Sequence, residues 1–525
     1  MAANVGVSGA QYPPKLPSPA SAPSHTHPAL PLHGGALAPW EVVKARDPFT
    51  YQMGFNNEFS SEAVAGALPK LGNTPTRAPF GLYAEQVSGT SFTTPRVHNK
   101  KVWLYKARPS AAHAPMRPYT ANPRFFNDFN AETSEINPNQ LRWKPFPVPA
   151  VPADAETLAV SKTAGVAEGI IDFVDGMITL AGAGCPAAKA GMAIHIYACN
   201  ASMTPRSRAF CNSDGDLLIV PQLSPLIITT ELGKLRVAPG EFAVVPRGIK
   251  FAVDLEDAAT GVYPASVGAR GYVCEVYDAH FIIPDLGPIG ANGLAHPRHF
   301  AAPTAAYESV AHAPGSFTLV QKFVGKLFST SLQSSPWDVV AWTGNYVPFK
   351  YDLAAYNTVN SVSYDHLDPS IFTVITAQTA SPGVAALDFV VFPPRFAVQD
   401  GTFRPPYYHR NCMTEFMGNI MGQYDAKPEG FVPGSASLHS NMMGHGPDAD
   451  TYKKFSNSET APSGPVLMPK NDLAFMFETT YTLKLSKWAN AEENLQTEYY
   501  KCWMGLESDY AQTEVAQQAD IKEAN

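Results

Sequence analysis

Between residues 190 and 285 the apolar residues come in short runs cut by glycine and proline. Ala193-Ile194-His195-Ile196-Tyr197-Ala198-Cys199 reads as a strand. Asp214-Gly215-Asp216 is a tight-turn signature ahead of the run Leu217–Val220. Pro225–Thr230 and Lys234–Val237 flank Glu231-Leu232-Gly233, and Pro239-Gly240-Glu241 leads through an apolar stretch to Pro246-Arg247-Gly248. Turns recurring about every 8–12 residues predict a sandwich or barrel. A second β-rich block is expected from about 340 to 486, with Tyr481-Thr482-Leu483-Lys484-Leu485 alternating near its end. Beyond it, Leu495, Tyr499, Cys502, Trp503 and Leu506 fall at helical spacing and predict a C-terminal amphipathic helix packed on the body.

Composition sharpens this picture. The chain has 525 residues, of which 48 are proline and only 16% are charged. Charge is normally about 25%, and a coiled-coil protein would exceed that. Wholesale disorder needs high charge and few aromatics, which is the opposite of this chain. The fold class expected is mainly β, a cupin-like sandwich or barrel in two β-rich domains with a short C-terminal helix. Pro239–Gly248 has the look of a cupin hairpin, but no histidine follows it. That half is therefore expected to lack a metal and to be held by packing alone.

The expected boundaries are a disordered Pro/Ala-rich tail over 1–45, domains over 46–345 and 346–510, and a polar tail over 511–525. Residues 153–168 read as a surface insertion and 283–293 as a connecting loop. The tail is neither Arg-rich nor amphipathic, and its prolines interrupt any secretory apolar run. The net charge of −8 and the lack of a Lys/Arg run argue against nucleic acid. No stretch nears ~18 consecutive apolar residues, so no membrane helix is expected. The six cysteines, 185, 199, 211, 274, 412 and 502, show no C-x-x-C spacing and read as buried thiols of a cytoplasmic protein.

Candidate chemistry concentrates late in the chain. His366, His409, His439 and His445 fall in one window, with Glu415 between the middle pair. Two imidazoles and one carboxylate on one face of an octahedron leave positions open for substrate and O₂, as non-haem Fe(II) requires. His409, Glu415 and His445 can supply this set. On a helix, six residues rotate the direction by about 240° net, so His409 and Glu415 would point apart. On a straight strand they would sit roughly 20 Å apart. The chain must therefore bend. A strand ending near Tyr408 and a turn near Asn411 fit, and Met413, Phe416, Met417, Ile420 and Met421 then predict a short helix. The spacing alone is common by chance. Cys412 and His439 are rival ligands, a thiolate being better suited to Zn or Cu(I).

At these residues a resemblance becomes specific. Phe403–Gly418, containing Arg404-Pro405-Pro406-Tyr407-Tyr408-His409, and His445-Gly446-Pro447-Asp448 resemble the homogentisate 1,2-dioxygenase family. So do Gly54-Phe55-Asn56-Asn57-Glu58, Gly81–Gln86, Asn137–Phe146, Asn212–Asp216 and Asp285–Leu294. The similarity runs from about 50 to 505. Residues 1–45 and the insertion near 153–168 look longer than that family needs.

The resemblance implies Fe(II)-dependent opening of the homogentisate ring by O₂ to maleylacetoacetate, in tyrosine and phenylalanine breakdown. It implies His409, Glu415 and His445 as iron ligands, His366 as catalytic base, Tyr424 and His445 as substrate contacts, and a homohexamer of two trimers. A neutral imidazole is a suitable acceptor for the phenol proton at pH 7. For the substrate carboxylate, the Tyr424 hydroxyl is the first candidate donor and Asn411 the second. His439 is expected in the pocket. The competing readings are a two-cupin Zn or Mn isomerase and a binding bicupin without catalysis.

Overall fold

The computed structural model describes residues 47–510, except 71–73, 151–168, 257–267, 286–292, 309–316, 360–362, 364, 367, 425, 428 and 509. The N-terminal tail, the 153–168 insertion, most of the 283–293 loop and the polar tail lie outside the described residues.

The chain is mainly β, as its pattern predicts. A ten-stranded sheet runs through the middle, with Asp216–Leu223 between Glu241–Val245 and Ala269–Val276, and Ala190–Cys199 next. Its two faces carry alternate residues. Leu218, Val220, Tyr272 and Cys274 pack with Phe389, Phe416, Phe475 and Phe477 of a six-stranded sheet. Leu217, Ile219, Val273 and Val245 pack with Phe210, Ile228, Phe251 and Leu319 of a seven-stranded sheet, and with Val102 and Trp342 of a four-stranded one. A strand covered on both faces has no polar face, which is why Leu217–Val220 reads as an unbroken apolar run. Each such Leu, Ile or Val stabilises the fold by about 1.5–3 kcal/mol. Asp214-Gly215-Asp216 does not close a hairpin. It carries the chain from Arg208–Asn212 in the seven-stranded sheet to Asp216–Leu223 in the ten-stranded one.

Packing alone does not hold the N-terminal half. Lys322, Glu275, His195 and Asp214 form a buried charge cluster inside it. Lys106 and Lys250 both donate to Glu231 in a second one.

The six-stranded sheet holds, in order, Thr373–Gln378, Ala385–Phe392, Leu473–Thr479, Thr414–Met421, Ala436–His439 and Leu141–Trp143. Its last strand comes from early in the chain. In exchange, Lys484–Ser486 joins the ten-stranded sheet beside Met177–Cys185. Tyr272 also ties the two sheets, donating from its hydroxyl to the Ser435 carbonyl at 2.7 Å. A Cβ at Gly418 would stand 2.3 Å from the Phe475 ring, so this close approach requires glycine.

Three expectations are corrected. Thr414–Met421 is a strand, not a helix: both its faces are buried, so its apolar residues carry no single period. The C-terminal helix reduces to a 3₁₀ turn at Tyr499–Trp503, while Leu495 bridges to Trp143 and Leu506 is exposed. The Trp503 indole donates to the Pro447 carbonyl at 3.1 Å, so the segment hugs the sheet instead of coiling. All six cysteines are free thiols, but Cys185 and Cys412 are exposed and Cys502 is half-buried.

Candidate metal centre and its cavity

The chain bends between His409 and Glu415 as the spacing demands, but the strand follows the bend and does not precede it. His409 forms an isolated antiparallel bridge with His445, through main-chain bonds of 2.9 and 3.1 Å. Residues 412 and 413 turn the chain, and Glu415 opens Thr414–Met421. The Asn411 carbonyl accepts from the Met442 amide at 2.7 Å, fixing the loop that leads to His445. Met442 adopts φ 62°, a left-handed conformation that a non-glycine residue holds only under external constraint.

The ligand atoms of His409, Glu415 and His445 all lie within 4.8 Å of one another. His409 Nε2 is 3.3 Å from Glu415 Oε1, and His445 Nε2 is 2.9 Å from Oε2. Each imidazole donates its Nδ1–H to a carbonyl two residues back, His409 to Tyr407 at 2.8 Å and His445 to Met443 at 2.9 Å. That bond assigns the tautomer and turns the Nε2 lone pair inward. Two imidazole nitrogens then converge on a carboxylate, an arrangement that either shares protons or holds a cation. The donor set fits a metal ion, with two nitrogens, one carboxylate and no thiolate. In the metal-free protein the two imidazoles hold the Glu415 carboxyl far below the usual range, against the opposing effect of burial.

The site opens on a cavity of about 620 Å³ lined by His366, Tyr424, Lys427, His439 and Glu478 as well as His409, Glu415 and His445. The sheet register sets out its polar wall. Asp388 pairs with Glu478, Glu478 with Glu415, and Glu415 with His439. Four adjacent strands thus present a row of polar side chains spanning about 14 Å.

The homogentisate 1,2-dioxygenase N-terminal family matches residues 50–353, and the homogentisate 1,2-dioxygenase C-terminal family matches 354–510. Homogentisate 1,2-dioxygenase of Arabidopsis thaliana is 50% identical over 472 residues, covering 90% of this chain and 95% of that one. The Oryza sativa subsp. japonica enzyme of the same name is 50% identical over 466 residues, covering 88% and 93%. The chain belongs to the homogentisate 1,2-dioxygenase family. Among solved structures, oxalate decarboxylase of Bacillus subtilis is 13% identical, covering 67% of this chain and 87% of that one, with a TM-score of 0.24. That likeness is too weak to bear on the fold.

Within this member of the homogentisate 1,2-dioxygenase family, the other expected site residues take distinct positions. His366 is half-buried on the cavity wall, its Nε2 bonded to the Phe403 carbonyl, which leaves Nδ1 as the acceptor nitrogen. The Tyr407 ring stands between His366 and His409, at 6.1 and 5.8 Å. Tyr424 is buried between Phe392 and Phe431. His439 stacks on His445 at 4.2 Å and 10°, and its Nε2 meets the Tyr499 hydroxyl at 2.9 Å. Burial, reinforced by Lys427, pushes the His439 imidazole well below its ordinary pKa. Asn411 points its amide at carboxylates, 2.9 Å from Glu415 and 2.6 Å from Glu478. Cys412 is exposed and outside the cluster.

Sequence reasoning missed Lys427 and Glu478. Lys427 is buried, donates to the Tyr499 hydroxyl at 3.0 Å and is pulled down to about 8 by burial. Glu478 is raised to about 7, mainly by burial. Glu478 lies beyond the histidine-rich window, and Lys427 lies inside it, between His409 and His439, as a lysine with no metal-ligand chemistry to mark it. The only signal was a charged residue inside an apolar strand, Leu473–Thr479, in a chain poor in charge.

Proposed function

We propose that this chain opens the aromatic ring of homogentisate with O₂, giving maleylacetoacetate, with Fe(II) held by His409 Nε2, His445 Nε2 and Glu415. The observation that carries this reading is the convergence of three lone-pair donors on the wall of a cavity large enough for the substrate. When bound there, ferrous iron supplies a redox centre with open positions for substrate and O₂. Both oxygen atoms of O₂ enter the product, so no separate reductant is needed.

The protein's own groups bind, orient and move protons. His366 Nδ1 takes the proton of a substrate hydroxyl, its other nitrogen being anchored on Phe403. The carboxymethyl group of the substrate is an anion. The Asp388–Glu478 end of the polar row offers it no cation, and Lys427 beside His439, at the other end, attracts it. Lys427 remains cationic at neutral pH, and we assign it with the Tyr424 hydroxyl to that carboxylate. Asn411 has its amide committed to two carboxylates and serves the metal side of the site instead. His439 backs His445 and closes the pocket there.

We also infer a homohexamer of two trimers in the cytosol. The family supports the first and the free thiols the second. No helix among the described residues is long and apolar enough to cross a membrane.

The test is O₂ uptake by protein loaded anaerobically with Fe(II). One O₂ should be consumed per homogentisate, with analogues lacking the carboxymethyl group used poorly. Absence of turnover by protein with stoichiometric bound iron sinks the reading.

A further inference from the structure

Asn411 sits at the centre of the site without lending it a ligand. Its Oδ1 accepts from the Met413 amide at 3.0 Å, which fixes the plane of the side-chain amide. The Nδ2 group, with two hydrogens, then faces two carboxylate oxygens, Glu415 Oε1 at 2.9 Å and Glu478 Oε1 at 2.6 Å. Glu478 is on the neighbouring strand, directly opposite Glu415. Two carboxylates placed opposite each other on one sheet face would repel. An amide donating to both removes that conflict and locks their relative positions. It also occupies one oxygen of Glu415 with a hydrogen bond, leaving the carboxylate a single orientation toward the two imidazoles.

We propose that Glu478 is a positioning residue for the metal site, acting through Asn411 to hold the Glu415 carboxylate. Glu478 anchors one hydrogen of the Asn411 amide, and the other hydrogen anchors Glu415. Without Glu478 the amide keeps one carboxylate partner, gains a hydrogen with no acceptor, and is no longer pinned from both sides. The inference rests on Glu415 being a metal ligand, as read above. Hydrogen-bond partners of metal-ligating side chains typically change metal affinity about 10–100-fold when removed.

The experiment measures the dissociation constant of Fe(II) from the full chain, under anaerobic competition with a chelator, alongside the melting temperature of the metal-free protein. Glu478→Leu and Asn411→Ala should each weaken Fe(II) binding by about 10–100-fold. Glu478→Gln keeps an oxygen that accepts from Asn411, so its Fe(II) affinity should stay within about threefold of wild type. The double variant N411A/E478L should bind Fe(II) no more weakly than N411A, because both changes cut one chain of bonds. Rescue by Gln together with non-additivity supports the coupling and distinguishes it from general loss of packing, which the melting temperature reports. Additive losses overturn it, as does a Glu478→Gln variant as weak as Glu478→Leu. Glu478→Leu with unchanged Fe(II) affinity and only a raised KM also overturns it, making Glu478 a substrate contact. Wild-type protein that takes up no Fe(II) at all overturns the metal reading along with the coupling.

Discussion

Two histidine–carboxylate pairs lie at the hearts of the two halves, and they differ in where the cation comes from. In the N-terminal half, His195 Nε2 is 3.2 Å from Glu275 Oε2. Lys322 donates to the other Glu275 oxygen at 2.8 Å and to Asp214 at 2.9 Å. Asn212 and Asn127 complete the Glu275 shell, and His195, Glu275 and Lys322 are fully buried. The chain carries its own cation there, and no bound ion is needed. In the C-terminal half, Glu415 meets the two imidazoles on a cavity wall, and among the described residues no lysine bonds to it, Lys427 lying beyond His439. The same residue types thus make a structural core in one place and the proposed metal site in the other. What separates them is an ammonium bonded directly to the carboxylate in one and an open cavity beside the carboxylate in the other.

The largest effects should separate the two directly. Glu415→Ala or His409→Ala should remove Fe(II) and turnover together while the metal-free fold survives. Lys322→Met should leave metal binding intact but destabilise the fold by about 3–5 kcal/mol, because it strands Glu275 and Asp214 in the interior. Denaturant titration beside iron analysis checks both. A Lys322→Met protein of normal stability would break the contrast.

This contrast also shows what the sequence could and could not convey. His409, Glu415 and His445 stood out by residue type, with Cys412 and His439 as rivals until the family resemblance implied the set, and the six-residue spacing required a bend. The direction of the bend was not legible. Phe416 faces the core and Met417 faces a second apolar cluster, and Glu415 and Asn419, four residues apart, would share a face in either a helix or a strand, so the pattern did not reveal the period. The N-terminal cluster was invisible for a related reason. Lys322, Glu275 and Asp214 are far apart in the chain, and only the parallel pairing of Arg208–Asn212 with Phe317–Phe323 brings Lys322 to the turn after Asn212. Lys427 and Glu478 became readable only once sheet register was known.

The cavity residues sharpen the functional side of the comparison. His366→Ala should keep Fe(II) yet lose about 10²–10⁴-fold in kcat, the usual range for a lost proton acceptor. Iron content measured beside turnover decides it, since loss of iron would count against the assigned role. Lys427→Met is expected to do less. It should cut kcat/KM for homogentisate by about 10–100-fold, the worth of one charge-assisted hydrogen bond of ~1.5–3 kcal/mol. It should barely affect a hydroquinone lacking the carboxymethyl group. Equal losses on both substrates would remove Lys427 from carboxylate recognition.

The smallest effect is the one that tests the contrast most closely, because its sign differs between the halves. Burial drives the His195 imidazole below its ordinary pKa, Lys322 reinforces this, and Glu275 only partly opposes it. The unfolded chain protonates this histidine near pH 6.5, whereas the folded chain refuses the proton. The unfolded state then binds more protons, so stability falls as pH drops below about 6.5. The Glu275 carboxyl is held well below its usual range, so its contribution is lost only as pH falls below about 4.3. His409 is shifted the other way in the metal-free protein, because its bond to Glu415 outweighs burial. Its contribution is complete below about pH 6.5 and is lost as pH rises through the raised folded value. Melting temperatures of the metal-free protein between about pH 5 and 8 should therefore respond oppositely to two substitutions. His195→Asn should flatten the acid-side fall, by at most about 1.4 kcal/mol per pH unit, which is one proton's worth. His409→Asn should steepen that fall, because it removes a contribution that persists at low pH. If both variants bend the profile in the same direction, a buried neutral imidazole at one site and a proton-sharing one at the other do not distinguish the two sites.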